Sequence, residues 1–211
     1  MRTQTRETQT HLTPERALEV LRDGNRRFVN NLRANRNLLQ QVNETASGQF
    51  PFAVVLSCID SRTSAELIFD QGLGDIFSVR IAGNVVNEDI LGSMEFACKV
   101  AGSKLIVVLG HTRCGAIQGA CDGVEMGHLT GLLAKIGPSV QAVDRVGEAA
   151  MDRVERVAVE NTRRQMRSIL ERSPILEHLF ADGAIGFACG IYSVDTGEVA
   201  ILYQQFRAGA S

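Results

Sequence analysis

The chain has 211 residues, 45% of them hydrophobic and 22% charged, with a formal net charge of -2. That length suits one domain with a real core, and the slightly acidic balance offers no basic surface for nucleic acid. No apolar run nears the roughly 20 residues needed to cross a bilayer, and residues 1–10 are too polar for a secretory leader, so the sequence reads as cytoplasmic, with no membrane partner.

In chain order, Thr13-Pro14-Glu15 predicts a helix start, with Thr13 as cap and Pro14 in the first turn. Ala17, Leu18, Val20, Leu21 and Phe28 then recur at helical spacing. A second helical stretch falls within 33–48. Residues 1–50 therefore read as a helical arm, peripheral to the core and free to pack on a partner subunit. Residues 53–57, 77–81, 105–109 and 184–188 are short apolar runs separated by helical segments. Strands buried on both faces of a parallel sheet have this pattern. Asp195-Thr196-Gly197 reads as a hairpin turn into 199–203, an antiparallel edge strand. Residues 148–172 predict a long helix ending before Pro174. Its middle, 160–165, is too polar for a simple core-facing helix and is assigned to a surface or a subunit contact. The expected fold is α/β: a mostly parallel central sheet of about four parallel strands plus an antiparallel edge strand, flanked by helices, with 51–211 as the main body of a single domain.

Five cysteines, an odd number without a C-x-x-C pair, favour metal binding or reduced thiols over disulfides in a cytoplasmic chain. Cys98, Cys121 and Cys189 lie among small or apolar residues and read as buried hydrophobes. Cys58 and Cys114 are different. The run 53–57 leads into Cys58-Ile59-Asp60-Ser61-Arg62, and 105–109 leads into Gly110-His111-Thr112-Arg113-Cys114-Gly115. Ligands in open α/β sheets bind beyond the carboxyl ends of strands. If these two strands are neighbours, Cys58, Asp60, His111 and Cys114 converge. His111 and Cys114, three apart, are read as sharing a face at the start of a helix. Taken singly, each has a plainer reading: a buried thiol, a structural Asp60–Arg62 ion pair, an accidental His-x-x-Cys. Four candidate ligands at two adjacent strand ends point instead to zinc, which accepts thiolate, imidazole and carboxylate.

The paired motif, Cys58-x-Asp60-Ser61-Arg62 followed by His111-x-x-Cys114-Gly115, resembles that of the β-class carbonic anhydrases. The resemblance extends over roughly residues 13 to 205, including Gly83-Asn84 after the second strand, Gly92-Ser93 opening the next helix, and the closing hairpin. It implies Cys58, His111 and Cys114 as zinc ligands and Asp60 with Arg62 as a catalytic dyad, in a catalytic domain spanning 51–211. The implied reaction is reversible hydration of carbon dioxide to bicarbonate by zinc-bound hydroxide, faster at alkaline pH because two thiolates leave the metal less acidic. Asp60 would either take the fourth zinc position or turn to Arg62. Gln49, Phe77, Ala82 and Phe96 would bind substrate, with Phe96 coming from a neighbouring subunit of a homodimer or tetramer. Ala82 stands where valine is usual, and Phe96 where tyrosine is usual. Val55 replaces the tryptophan of the branch inhibited by bicarbonate, so no such inhibition is expected. Arg80 occurs in both branches. Alternatives are a carbonyl sulfide or carbon disulfide hydrolase on the same scaffold, or an inactive zinc-stabilised binding protein.

Overall fold

The computed structural model describes residues 3–146 and 152–207. Five strands form one sheet in the order β2-β1-β3-β4-β5. They are β1 (Ala53–Ser57), β2 (Ile76–Arg80), β3 (Leu105–His111), β4 (Gly186–Tyr192) and β5 (Val199–Gln205). β1 pairs in parallel with β2 and β3, and β3 with β4, while β5 runs antiparallel to β4. The central strands β1, β3 and β4 are buried along their whole length. That is why they read as continuous apolar runs rather than as alternating ones. The edge strands β2 and β5 are half-exposed.

Each face of the sheet has its own apolar layer, sorted by the two-residue period of the strands. Val54, Leu56, Ile106, Val108, Phe187 and Cys189 face α5 (Glu88–Glu95), α9 (Arg153–Arg172) and α10 (Pro174–Ala181). Ala53, Val55, Leu105, Val107, Leu109 and Ala188 face α2 (Pro14–Val29) and α4 (Ala65–Ile68). Ala17, Leu18 and Leu21 of α2 are buried in this second layer, so that helix covers the sheet of its own chain. A third cluster, under α6 (Gly115–Cys121), α7 (Gly127–Ala134) and α8 (Gly137–Val146), sits beyond the carboxyl ends of β1 and β3.

Several sequence expectations shift. Thr13 caps α2 as read, its Oγ1 accepting the Arg16 N–H at 3.2 Å, and the second helical stretch is α3 (Leu38–Thr45). A short helix α1 (Arg6–His11) was not foreseen, because its anchor is one polar residue: the Gln9 amide donates to the carbonyls of Pro51 and Ala101, each at 2.8 Å. β3 and β4 run further than the apolar runs because they pair with each other as far as His111 and Tyr192. Gly92-Ser93 does not open a helix. It lies inside α5, which starts after Asn87, whose side chain accepts the Ile90 N–H at 2.9 Å. The long helix begins at Arg153, and residues 148–151 of the expected span lie outside the described residues. Its polar middle is a surface only in part, at the exposed Arg163 and Arg164. Asn161, Thr162 and Gln165 are buried within the stripe Val157, Ala158, Met166 and Ile169 that faces the sheet. No helix among the described residues is long and apolar enough to cross a membrane.

Candidate metal centre

β1 and β3 are neighbours, and the order of the sheet reverses between them. Such a switch point leaves a crevice at the carboxyl ends of the strands. Cys58 leaves β1 there, His111 is the last residue of β3, and Cys114 is the N-cap of α6. His111 and Cys114 therefore do not share a helical face. A turn joins them, with Arg113 in the left-handed region at φ 54°. The turn is held from three sides. Arg113 N–H donates to Glu155 Oε1 at 2.9 Å, Thr112 N–H to the Tyr192 carbonyl at 3.0 Å, and Val194 N–H to Thr112 Oγ1 at 3.0 Å.

The ligand atoms of Cys58, His111 and Cys114 all lie within 4.8 Å of one another, and the three residues are buried. The two sulfurs are 4.0 Å apart. His111 Nδ1 is 2.9 Å from the Thr112 carbonyl, which can only accept, so Nδ1 carries the proton. In the neutral imidazole Nε2 is then a bare lone pair, and it is buried with no hydrogen-bond partner among the described residues. An orphaned acceptor beside two thiols is a costly arrangement unless a cation sits between them. Cys58 is pulled well below the ordinary thiol range by Cys114, then by His111 and the N–H groups of Asp60 and Gly83, against the burial that raises it. Cys114 is pushed up by its neighbour Cys58 and by burial. Two thiolates this close repel, and a divalent cation removes the conflict. The donor set and its burial fit zinc.

Asp60 and Arg62 form the pair read from the sequence. Arg62 Nε and its own backbone N–H donate to Asp60 Oδ1 at 2.9 and 3.0 Å, and a terminal guanidinium nitrogen donates to Oδ2 at 2.8 Å. The side-chain bonds of Arg62 hold the Asp60 carboxyl far below the usual carboxylate range, so it is ionised. Its oxygens do not join the group of atoms within 4.8 Å of one another.

The remaining candidates divide. Ala82 is half-buried beside Gly83, whose N–H donates to Cys58 Sγ at 3.4 Å. Phe77 and Phe96 meet edge to face, centroids 6.2 Å apart, in an open groove along the β2 edge, with Phe96 51% exposed. Gln49 is exposed and precedes β1, whereas Cys58 follows it. A five-residue strand lies between them, about 16 Å at the usual rise. The structure does not bring Gln49 to the metal cluster of its own chain.

Sequence reasoning missed the residues that hold the loop. Arg80 Nε donates to the Cys58 carbonyl at 3.0 Å and a terminal nitrogen to the Asp60 carbonyl at 2.7 Å. Thr63 Oγ1 donates to the same two carbonyls at 3.0 and 2.9 Å. Only the position of Arg80, closing the second strand, could have signalled this. The other cysteines stay out of the chemistry. Burial pushes Cys98 up to about 12 and Cys189 to about 11, and it raises half-buried Cys121 as well.

A family model described as carbonic anhydrase matches residues 53–199. "Carbonic anhydrase 2" of Mycobacterium tuberculosis is 37% identical over 196 residues, covering 89% of this chain and 92% of that protein. A carbonic anhydrase of Mycolicibacterium smegmatis is 35% identical over 193 residues, covering 88% and 92%. Among solved structures, one from a report on two tetrameric β-carbonic anhydrases of Sordaria macrospora superposes with a TM-score of 0.69 at 23% identity, covering 79% of this chain and 91% of that one. At that identity the likeness concerns the fold.

Proposed function

The chain belongs to the β class of the carbonic anhydrases, and we propose that its zinc is held by Cys58, His111 and Cys114, with Asp60 and Arg62 as the catalytic dyad. It is a zinc enzyme of carbon dioxide hydration, forming bicarbonate and a proton reversibly. The observation that carries the site assignment is the buried, unpartnered His111 Nε2 facing two thiols.

Zinc, when bound, lowers the pKa of a water ligand so that a nucleophile is available near neutral pH. The chain's own groups do the rest. His111 presents a lone pair at Nε2 because its other nitrogen gives its proton to the Thr112 carbonyl. Asp60, ionised, can accept a hydrogen bond but not donate one. Arg62 grips it in a planar fork, which keeps it turned from the cluster and oriented at the mouth of the site. Phe77, Ala82 and Phe96 offer apolar walls to a substrate with no net dipole. Ala82 leaves more room than a valine would.

In this reading the enzyme is a cytoplasmic homo-oligomer, a dimer or a pair of dimers, whose subunits complete one another's pockets. Two features support it. Phe96 is exposed at the β2 edge, and Gln49 could serve only the site of another copy. The relative from Sordaria macrospora is itself described as tetrameric. Residues 1–50 are taken as an arm on the catalytic domain 51–211. Stopped-flow hydration of carbon dioxide across pH, on metal-quantified protein and beside carbonyl sulfide turnover, tests the assignment. Carbonyl sulfide turnover without carbon dioxide hydration would overturn it.

A further inference from the structure

Four hydrogen bonds run in series from Val86 through α9 to the metal cluster. Val86 N–H donates to Gln165 Oε1 at 2.8 Å, Gln165 Nε2 to Asn161 Oδ1 at 3.1 Å, and Asn161 Nδ2 to the Gly83 carbonyl at 2.9 Å. Gly83 N–H then donates to Cys58 Sγ at 3.4 Å. The orientation of both amides is forced. A backbone N–H can only donate to Gln165, and a carbonyl can only accept from Asn161, so the middle bond has one possible direction. Asn161 and Gln165 sit four apart on α9 and are buried in a helical face that is otherwise largely apolar. A polar pair is kept there only if its bonds are satisfied.

The Gly83 turn needs such a hold. Gly83 has φ 66° and Asn84 φ 43°, two consecutive left-handed residues. A β-carbon at Gly83 would lie 2.7 Å from Ile136 Cδ1, so only glycine makes this turn without displacing the wall of the site. Fixing the Gly83 carbonyl orients one side of the residue, and the turn's φ then aims its N–H at the sulfur.

We propose that Asn161 and Gln165 are positioning residues for the metal centre: through Gly83 they aim a backbone N–H at Cys58 Sγ and so set how much charge that thiolate gives to zinc. The proposal rests on Cys58 being a zinc ligand. A hydrogen bond to a thiolate stabilises its lone pairs and weakens its donation. Groups behind the ligands commonly change metal affinity by roughly 10–100-fold.

The test uses the full chain, emptied with a chelator and reloaded with cobalt(II) or zinc. Asn161→Ala should take up one cobalt per chain, with its thiolate-to-cobalt absorption band moved to longer wavelength. Zinc affinity, measured by chelator competition, should move by about tenfold from the wild-type value. Gln165→Met, close in volume and without polar atoms on its tip, should shift the band in the same sense and serves if Asn161→Ala fails to fold. The control is Asn25→Ala, which removes another buried amide, bonded to the carbonyls of Ile68 and Gly197 far along the chain, and should leave the band in place. Folded Asn161 and Gln165 variants with an unmoved band and wild-type affinity would overturn the proposal, leaving the series a scaffold only. A wild-type chain that takes up no metal would instead overturn the zinc assignment, and the proposal with it.

Discussion

Gly110 and Thr162 stand so close that a β-carbon on Gly110 would lie 2.2 Å from Thr162 Oγ1. The glycine lets α9 approach β3 one residue before His111, and Thr162 Oγ1 is meanwhile committed to the Ala158 carbonyl at 2.8 Å. Gly110→Ala must therefore displace the Thr162 hydroxyl or the helix that carries it. It should destabilise by about 1–3 kcal/mol, the usual cost of overpacking, and lower zinc affinity. Thermal melting of Gly110→Ala beside Gly110→Ala/Thr162→Ala checks this. The double variant, lacking the hydroxyl, should recover part of the loss, and strict additivity would refute the clash.

Loss of a ligand should empty the site. Cys114→Ala removes one of two thiolates and should leave no stoichiometric zinc and no hydration activity. Metal analysis after gel filtration decides it, and full occupancy in the variant would sink the ligand assignment. Chelating the wild type should lower its melting temperature, because zinc binds the folded chain in preference to the unfolded one.

Arg62→Ala should keep zinc while losing hydration activity by roughly 10²-fold, the scale of a positioned proton-transfer group. Freed of its partner, Asp60 can turn toward the cluster. Wild-type turnover in this variant at alkaline pH would exclude the dyad.

Arg80 links the edge strand to the loop that carries Cys58 and Asp60. Arg80→Ala should cost about 1–2 kcal/mol in denaturant unfolding, a reduced value for a partly exposed cation bonding two carbonyls. Activity should fall more than stability does, since the loop carries Cys58 and Asp60, the proposed ligand and dyad carboxylate. An unchanged rate would show that Thr63 holds the loop alone.

The Asp60 shift has a definite sign. Its folded pKa is depressed by Arg62, so the stabilisation from the pair is present above the unfolded value of about 3.9 and is lost as pH falls through the folded one. Arg62 is exposed, so that contribution is small. Between about pH 5 and 9 Asp60 stays ionised, and the rate should rise as a single smooth curve set by the metal site. Val55 is buried in the apolar layer under α2 and offers no donor to a second bicarbonate. A steep, multi-proton profile would contradict this. Carbon-13 NMR of the Asp60 carboxyl should show its titration return to the ordinary range in Arg62→Ala.

Much of the centre was legible because its chemistry is local. Asp60 and Arg62 are two residues apart, so their pairing needs only a short turn. The thiols and the imidazole follow apolar runs whose β-branched content marks buried strands. Runs of five residues also located every strand to within two residues at its start, as the shift from residue 184 to Gly186 for β4 illustrates. Where β3 and β4 stop was not legible. Their ends depend on pairing with each other, and that register is a property of two segments distant in the chain.

The sequence by itself determined which donor groups the chain offers, because residue type and short spacing decide what a donor set can bind. It also held an unread signal: Asn161 and Gln165 fall on the helical stripe of Val157, Ala158, Met166 and Ile169, so polar side chains were due in the core. Only the tertiary structure decided what they touch. The approach of α9 to the Gly83 turn joins residues 78 positions apart. Likewise, only the β1–β3 adjacency brings Cys58 within 4.0 Å of Cys114, and only the direction of β1 sets Gln49 at the far end of the sheet. Periodicity and local sterics are written in neighbouring residues, whereas a contact between distant faces exists only once the layers have packed.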